Sequence, residues 1–471
     1  MGARYITTTL PYVNDVPHLG HALELVQADA LARSARLQGD KVFFSTGTDE
    51  HGQKVAQKAG EKGEDVQVFV DRHAEEFKKL GVALNLSNDA FIRTTDPKHI
   101  EAAQELWRRC EASGDIYKKK YSGLYCVGDE AFIKESDLVA GRCPTHPNQE
   151  PVKVEEENYF FKLSKYQDRL VEYLAKEESV VPEWRRQEAL NFVNQGLEDF
   201  SISREKSRLS WGIPVPGDDT QVMYVWFDAL ANYISTLGWP NEDGDFKKFW
   251  VEGDTLQLAG KDQIRFQSIM WQAMLFSADI KNTDTLFYHG FINSGGQKMS
   301  KSIGNVISPY ELVEKYGTDA TRYLLLRHVH PFEDSDITWE RLDEWYTANL
   351  VNGLGNFVAR VMKLAEANLT SPVAPISSVD LFHSFDGFEF NTVMNVIWKR
   401  IQELDERITN EEPFKVIKVD AEKGREMISK LAIDLYFVGY FLQACMPKTS
   451  VAIMNAVKEN KKPENIFPRL V

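Results

Sequence analysis

Two histidines stand three residues apart near the amino terminus, in the segment His18-Leu19-Gly20-His21. Leucine, valine and alanine follow them at helical spacing, so both imidazoles fall at the first turn of a predicted helix. The free N–H groups and the positive dipole end of a helix N-terminus attract phosphate, and Gly20 leaves room for a nucleotide. The pattern indicates a phosphate site, although histidines at this spacing are more often surface residues or metal ligands.

A second group suited to phosphate chemistry lies about 280 residues further on, where Lys298 and Lys301 flank Met299-Ser300. The preceding glycines predict a mobile cationic arm. A lysine ammonium can follow phosphate oxygens as charge shifts between them, which stabilises the transition state of phosphoryl chemistry. The alternative interpretation is a solvated basic loop.

Two short pairs of ligand-type residues, Cys126-x-x-Asp129 and Cys143-x-x-His146, have the spacing of a zinc knuckle. Aspartate is a harder donor than thiolate and gives a weaker site. We therefore expect one structural zinc ion, with a knuckle held by hydrogen bonds as the alternative. The four cysteines of the chain are too few and too scattered for a disulfide framework.

The elements that position these groups follow from the order of local patterns. Residues 5–10 and 42–45 predict strands on either side of a loop and a helix. This order is typical of a parallel sheet with crossover helices, whose ligands bind beyond the carboxyl ends of the strands. The loop over residues 11–21, which carries both histidines, lies at that edge.

Further along, residues 117–157 are rich in Gly, Lys, Cys and Pro, which predicts an insertion, and sheet-like segments resume near residues 221 and 284. After about residue 345 the strand signals stop, and amphipathic stretches predict a helical bundle. We predict an α/β fold with four parts: a Rossmann-like parallel-sheet catalytic domain (1–116 and 205–290), a connective insertion with the knuckle (117–204), a linking region with the lysine loop (291–345) and an all-α domain (346–471).

Composition sets further limits on this chain of 471 residues. A net charge of −15, from 70 acidic and 55 basic residues, means that any nucleic acid must be bound by local patches. The amino terminus lacks the pattern of a secretory signal, and the most apolar stretch, 431–446, is too short to span a membrane. We expect a cytoplasmic protein without membrane contact, and a monomer.

Taken together, HLGH and KMSKS on an α/β pattern resemble the two signature motifs of the class I aminoacyl-tRNA synthetases. The longer segment TTTLPYVNDVPHLGH resembles the methionine-specific members of that family, as do the segments 47–52, 224–229 and 260–262. The resemblance covers essentially the whole chain. It implies an enzyme that activates L-methionine with ATP, releases pyrophosphate and transfers methionine to the 3′ end of tRNA(Met).

The resemblance also implies roles for the ATP-site residues. His18, Gly20 and His21 hold the ATP phosphates, Asp262 contacts the ribose, and Lys301, with Lys298, stabilises the departing pyrophosphate. The substrate carboxylate itself attacks the α-phosphorus, so the protein supplies positioning and charge rather than a nucleophile. Magnesium is expected to arrive with ATP, because the sequence contains no dedicated cage for it.

By the same resemblance, Asp49 pairs with the substrate ammonium, and a set of apolar and aromatic side chains walls the thioether: Leu10, Tyr12, Trp226, Ala229 and Tyr233. Sulfur–aromatic contacts add to burial in such a pocket. Gln267 stands where the family usually has histidine, and its amide can still donate toward sulfur, so we expect the preference for methionine to survive. The alternative for Trp226 and Tyr233 is ordinary core packing.

In the methionine-specific family the carboxyl-terminal bundle reads the anticodon, and the matching residues here are Asn356, Arg360 and Phe414. One helical turn separates Asn356 from Arg360. Polar side chains that bond base edges and a ring that stacks on a base are usual for single-stranded RNA. Phe414 replaces the family's more common tryptophan. The alternative is a solvated helix face.

Three competing functions stay open from the sequence. A class I synthetase for another amino acid is disfavoured, because residues 10–21 contain no cysteine and the insertion is short for an editing domain. A small nucleotidyltransferase with an HxGH motif would lack the bundle. A catalytically idle tRNA-binding derivative is opposed by the intact histidines and lysines.

Overall fold

The computed structural model describes residues 2–126, 131–133, 135–144, 148, 150–299, 305–373, 385 and 387–470. The chain forms two compact units. The first unit contains Met1–Pro17, Asp40–Lys79 and Asn88–Tyr288, and the second unit contains His18–Gly39, Leu80–Ser87 and His289–Val471.

The strands in chain order are β1 Ala3–Thr7, β2 Lys41–Thr48, β3 Ala90–Arg93, β4 Ile116–Cys126, β5 Ala131–Ile133, β6 Val152–Phe161, β7 Val180–Val181, β8 Phe200–Ser201, β9 Ser203–Glu205, β10 Pro214–Val215, β11 Asp218–Met223, β12 Asp254–Gly260, β13 Thr285–His289, β14 Ile292–Ser294, β15 Gln297–Lys298 and β16 Ser335–Asp336.

The α-helices are α1 Leu19–Leu37, α2 Gln53–Lys62, α3 Val66–Ala83, α4 Pro97–Ala112, α5 Gln167–Ala175, α6 Glu183–Asn194, α7 Val225–Leu230, α8 Asn232–Ser235, α9 Gln272–Ser277, α10 Pro309–Tyr316, α11 Thr318–His328, α12 Trp339–Trp345, α13 Asn356–Asn368, α14 Phe390–Glu411, α15 Pro413–Val419, α16 Ala421–Phe441 and α17 Pro447–Glu459. Three further segments are π-helical: Phe246–Val251, Phe266–Trp271 and Tyr346–Gly355.

The first unit is organised around a six-stranded sheet with the order β3-β2-β1-β12-β13-β7. Strand β1 pairs in parallel with both β2 and β12, and β2 pairs in parallel with β3. Large aromatic side chains, including the fully buried Trp107, Trp250 and Trp271, fill the core on this sheet. The prediction of an α/β fold with a parallel sheet is therefore confirmed.

The predicted insertion contains a four-stranded sheet with the order β5-β4-β6-β8. Strands β4 and β6 pair antiparallel over their length, and the three lysines of β4 fall opposite polar or aromatic residues of β6. Phe161 at the end of β6, and Tyr166 and Leu170 after it, pack into the same core as Trp107. Because hairpin strands with polar outer faces give weak periodicity, the sequence indicated only a change of texture here.

The second unit contains α1 and a largely helical carboxyl-terminal part. Helix α1 buries the predicted stripe of Leu19, Ala22, Leu23 and Val26. The predicted bundle is confirmed in α13, α14 and α16, whose apolar stripes are buried. Among the residues that the structure describes, none of the helices is both long and apolar enough to cross a membrane.

The sheet-like segment predicted near residue 221, which includes the run VMYVWF at residues 222–227, is confirmed only in its first part. Strand β11 ends at Met223 and α7 begins at Val225. The carbonyl oxygen of Tyr224 accepts hydrogen bonds from the N–H groups of Phe227 and Asp228, at 3.0 and 3.2 Å, so the backbone turns into a helix there. A short run of buried apolar residues has no periodicity that separates a strand from a helix. The sequence also predicts a connection between bundle helices at residues 370–384, and most of this segment lies outside the described residues.

Candidate active site

The two histidines of HLGH cap the amino terminus of α1. His18 is the N-cap residue, and its Nδ1 accepts a hydrogen bond from the Gly20 N–H at 3.1 Å. The Nδ1 of His21 accepts from the His18 N–H at 3.2 Å. The rings stack with centroids 3.6 Å apart. Because each Nδ1 accepts, the hydrogen of each neutral ring is on Nε2, and both rings offer Nε2–H donors at the positive end of the helix dipole.

Charge around this cap favours a neutral His21. Burial lowers the pKa of His21 well below its ordinary value, and the neighbouring His18 and His289 lower it further. A neutral imidazole with a fixed Nε2–H is a hydrogen-bond donor whose strength does not change across the neutral pH range. The cap can therefore bind an anionic oxygen without first taking up a proton.

A buried pair that the sequence analysis missed lies in the same unit. His289 has Nδ1 at 2.8 Å from the Gly290 carbonyl oxygen and Nε2 at 3.0 Å from Glu24 Oε2. Both ring nitrogens face acceptors, so a proton must lie between His289 and Glu24. Glu24 follows His21 by three residues and shares its helix face, which was the available signal, but its partner is 265 residues away.

The glycine-flanked lysine segment begins with a hairpin of β14 and β15. Asn293 pairs with Lys298, and the turn residues Gly295 and Gly296 have φ angles of 64° and 74°. Positive φ at both turn positions is the conformation that two-residue hairpins require, and glycine adopts it without steric cost. The side chain of Lys298 and the whole of Lys301 lie outside the described residues, so their predicted roles stay predictions.

In the first unit, the extension of the β1–β2 pairing brings Tyr12 and Asp49 together as a parallel bridge. The Val13 N–H donates to the Asp49 carbonyl at 3.1 Å, and the Asp49 N–H donates to the Pro11 carbonyl at 2.9 Å. Asp49 is buried, and Leu10 and Tyr12 are half-buried. The predicted ammonium partner and two predicted wall residues therefore lie at the carboxyl ends of two parallel strands.

The other predicted wall residues form two contacts in the same unit. The Trp226 ring stacks on Phe266 with centroids 3.7 Å apart. Gln267 is 3% exposed, and its Nε2 donates to the Tyr233 hydroxyl at 2.5 Å. Ala229 is also buried. The π-helical segment Phe266–Trp271 places Phe266 and Gln267 for these contacts, and such segments are frequent at functional sites.

Asp262 and Arg204 lie in the same unit. Asp262 is exposed in the short turn Lys261–Gln263, directly after β12 and thus at the carboxyl end of the strand beside β1. Arg204, which the sequence analysis missed, is buried on β9 with its guanidinium 4.5 Å from the Tyr224 ring centroid. The only sequence signal for it was that Arg204 has the strand parity of the buried Ile202.

Comparison with known proteins places the chain in a family. A family model described as tRNA synthetases class I (M) matches residues 4–150 and 145–362. A methionine--tRNA ligase from Rickettsia bellii is 39% identical over 99% of this chain and 94% of that protein. One from Brucella suis is 37% identical over 99% of this chain and 98% of that protein. The chain belongs to the class I tRNA synthetases.

Solved structures agree with this assignment to the class I tRNA synthetases. The structure of Mycobacterium tuberculosis methionyl-tRNA synthetase in complex with methionyl-adenylate matches with a TM-score of 0.92 and 35% identity, covering 100% of both chains. The apo form of the Mycobacterium tuberculosis protein matches with a TM-score of 0.84 and 32% identity, covering 100% of this chain and 98% of that chain.

The carboxyl-terminal residues predicted to read RNA in this class I tRNA synthetase lie on the bundle helices. Asn356 is exposed at the start of α13. Arg360, one turn later, pairs with Asp405 of α14 at 2.5 Å and donates to the Thr409 hydroxyl at 3.2 Å. Phe414 is 38% exposed in α15. Arg360 is thus held by a carboxylate and a hydroxyl of α14.

The predicted zinc ligands of this class I tRNA synthetase are only partly described. Cys126 ends β4 and Cys143 lies in the following loop, and both are buried. Asp129 and His146 lie outside the described residues. Within the described part of the chain, no group of three or more His, Cys, Asp or Glu side chains could hold a metal ion.

Proposed function

We propose that this chain activates L-methionine with ATP to methionyl-adenylate and pyrophosphate, and then transfers methionine to the 3′ end of tRNA(Met). The match to methionine--tRNA ligases over nearly the whole chain carries this function. The neutral histidine pair at the start of α1 and the buried carboxylate and aromatic groups of the first unit agree with its chemistry.

Activation begins with the ATP phosphates at the start of α1. The Nε2–H groups of His18 and His21 donate to phosphate oxygens, and Gly20 carries no side chain that would occupy the space. Positioned donors of this kind stabilise charge that develops as the α-phosphorus is attacked. Lys298 and Lys301 follow the charge onto the departing pyrophosphate, and Asp262 bonds the ribose. Magnesium supplies charge neutralisation when it arrives with ATP.

Methionine recognition rests on a buried carboxylate and an aromatic slot. Asp49 pairs with the ammonium of the substrate, and Leu10, Tyr12, Trp226, Ala229 and Tyr233 enclose the side chain. An unbranched thioether suits such walls, because sulfur and aromatic rings attract each other beyond plain burial. In a reaction of this kind, holding the substrate carboxylate close to the α-phosphorus supplies a large part of the rate.

Gln267 has a defined role in this proposal. Its Nε2–H donates to the Tyr233 hydroxyl, so the Tyr233 oxygen accepts from Gln267, and we propose that the hydroxyl donates to the thioether sulfur when methionine is bound. The amide does not titrate in the neutral range. Recognition of sulfur by Tyr233 is therefore expected to be independent of pH between about 6 and 8.

For the second step, we infer that Asn356, Arg360 and Phe414 contact the anticodon of tRNA(Met). The exposed Asn356 and the exposed part of Phe414 offer a bonding group and a stacking face. The chain carries a net charge of −15, so this contact depends on local groups rather than on the overall field. We also propose that the enzyme acts as a cytoplasmic monomer.

A structural zinc ion on Cys126, Asp129, Cys143 and His146 is part of the proposal. The two described thiols are buried, and buried thiols suit a closed structural site. Such an ion would brace the insertion, and no step of the reaction passes through it. Elemental analysis of the purified protein tests the site, and a protein without stoichiometric zinc would remove it from the proposal.

The function is tested by ATP–pyrophosphate exchange with each amino acid in turn. Methionine is expected to give the highest kcat/KM, and Lys301→Ala is expected to lower kcat by about 10²-fold or more. Lys176→Ala, which changes a lysine that no step of the proposed reaction uses, serves as the control. Faster exchange with leucine or cysteine than with methionine would mean that the proposed substrate is wrong. An unchanged rate in Lys301→Ala would favour a catalytically idle RNA-binding derivative.

A further inference from the structure

Asp228 lies in the first unit and joins two histidines from distant parts of the chain. Its Oδ2 is 2.7 Å from His51 Nδ1, and its Oδ1 is 2.9 Å from His99 Nε2. The side chains of Asp228 and His99 are fully buried, and that of His51 is 7% exposed. We call these three residues the Asp228 clamp. None of them has a role in the reaction proposed above.

The chemistry of the clamp determines where its hydrogens are. Burial raises the pKa of the Asp228 carboxyl, but the two imidazoles outweigh burial and bring that pKa below its ordinary value. An ionised carboxylate only accepts, so His51 donates from Nδ1 and His99 donates from Nε2. The Nδ1 of His99 is 3.0 Å from the Ser235 hydroxyl, which orients that ring from its other side. The clamp is thus satisfied on both carboxylate oxygens.

The clamp joins the two halves of the amino-acid pocket. His51 follows the proposed ammonium partner Asp49 by two residues, and Asp228 lies on α7 between Trp226 and Ala229. Charge-assisted hydrogen bonds are shorter and stronger than neutral ones. The His51–Asp228 bond is of this kind, and both side chains are held in a close-packed interior. A shift of α7 relative to the loop after β2 would therefore have to break the His51–Asp228 bond.

A second contact holds the same loop. The Trp211 ring packs on His51 with centroids 5.5 Å apart, and its Nε1 donates to the Glu50 carbonyl at 2.7 Å. The Gly52 N–H donates back to the Trp211 carbonyl at 3.4 Å. The loop that carries Asp49 is thereby held from two sides, by Asp228 and by Trp211.

We propose that His51 and Asp228 are positioning residues that set the spacing between the ammonium site at Asp49 and the side-chain wall at Trp226 and Ala229. This inference rests on the proposed function. Its specific consequence is that loss of the His51–Asp228 bond weakens methionine binding while ATP binding and the chemical step at saturating methionine stay close to normal. His99 acts one step further away, by holding Asp228.

The test compares His51→Leu with His51→Asn in methionine-dependent exchange. Leucine removes the donor, whereas the Asn side-chain amide can place an N–H near the position of His51 Nδ1. His51→Leu is expected to raise KM for methionine about tenfold, with kcat and KM for ATP within about twofold, and His51→Asn to recover most of the loss. His73→Leu, at another buried histidine of the first unit, is the matched control and should leave all three constants unchanged.

Two results would overturn the clamp proposal. One is an unchanged KM for methionine in His51→Leu, and the other is an equal change of all constants in His51→Leu and His73→Leu, which would mean a general loss of structure. If His51→Leu does not fold, the test is made with Asp228→Asn instead. Its control is Asp115→Asn, which changes a second buried carboxylate held by Lys165 and Ser277. A rise in KM for methionine confined to Asp228→Asn supports the proposal, and equal rises refute it.

Absence of methionine-dependent exchange in the unaltered protein would instead refute the proposed function.

Discussion

At the scale of single residues, hydrogen placement decides what the site can recognise. The amide of Gln267 fixes the orientation of the Tyr233 hydroxyl, and the backbone N–H groups of the first helical turn fix the tautomers of His18 and His21. The engaged Nδ1 of each histidine places the ring hydrogen on Nε2, and the Tyr233 oxygen accepts from the Gln267 amide.

Tyr233→Phe tests this arrangement at the methionine pocket. The change removes the hydroxyl that is proposed to donate to the substrate sulfur, and a hydrogen bond of this kind contributes about 0.5 to 1.5 kcal/mol. KM for methionine is expected to rise about tenfold. Tyr117→Phe, whose hydroxyl donates to Asp199 in the same unit, should leave that KM unchanged in the same exchange assay. An equal KM in the two variants would mean that the Tyr233 hydroxyl takes no part in recognition.

At the scale of elements, strong hydrophobic periodicity predicted the long helices correctly. Short helices and contacts between residues far apart in the sequence could not be predicted in this way. Helix α1 and the bundle helices were predictable because many apolar residues repeat at helical spacing. Helix α7 was not, because five of its six residues are buried and so short a run shows no helical period. The contacts of His289 with Glu24 and of Asp228 with His51 span 265 and 177 residues, and no local pattern encodes them.

The end of α11 makes one element-scale prediction about pH. His328 stacks on Trp345 with centroids 4.2 Å apart, and burial, together with Arg327, lowers its pKa to about 3. The unfolded chain takes up this proton near pH 6.5, so the stability contributed by the neutral ring is lost as pH falls from about 6.5 toward about 3.

Urea unfolding at pH 7, 6 and 5 measures this effect. The free energy of unfolding of the unaltered protein should fall more between pH 7 and 5 than that of His328→Gln, because glutamine takes up no proton. His330→Gln removes a histidine two residues away whose Nδ1 accepts the Phe332 and Glu333 N–H groups, and it separates the effect of His328 from that of its neighbour. Parallel curves for the unaltered protein and His328→Gln would contradict the prediction.

At the scale of the whole molecule, one buried arginine joins distant parts of the second unit. Arg322 on α11 pairs with Asp29 of α1 at 2.7 Å, and both side chains are fully buried. Its guanidinium also donates to the carbonyl oxygens of Leu84, Ala444 and Cys445. Helix α1, the segment at 80–87 and the connection from α16 to α17 therefore meet at one side chain, and each guanidinium nitrogen has an acceptor.

Arg322→Met is expected to lower the free energy of unfolding by about 3 to 5 kcal/mol, because three buried carbonyl groups lose their donor and the buried Asp29 carboxylate keeps only Arg33 and Ser87 as partners. Denaturant unfolding followed by circular dichroism measures the loss. Arg341→Met removes an exposed pair with Asp336 and should cost less than about 1 kcal/mol. Similar losses in the two variants would show that the buried network is not a main source of stability.

The capping geometry of the histidine pair has a consequence in acid. Protonation adds positive charge, which favours phosphate binding. The nitrogen that would take up the proton on each neutral ring is Nδ1, however, and this atom already accepts a backbone N–H. A proton there would expel that N–H and unwind the opening turn of the helix. The two cap hydrogen bonds therefore require neutral rings. In acid, protonation of either ring would break its cap bond and with it the geometry of the phosphate site.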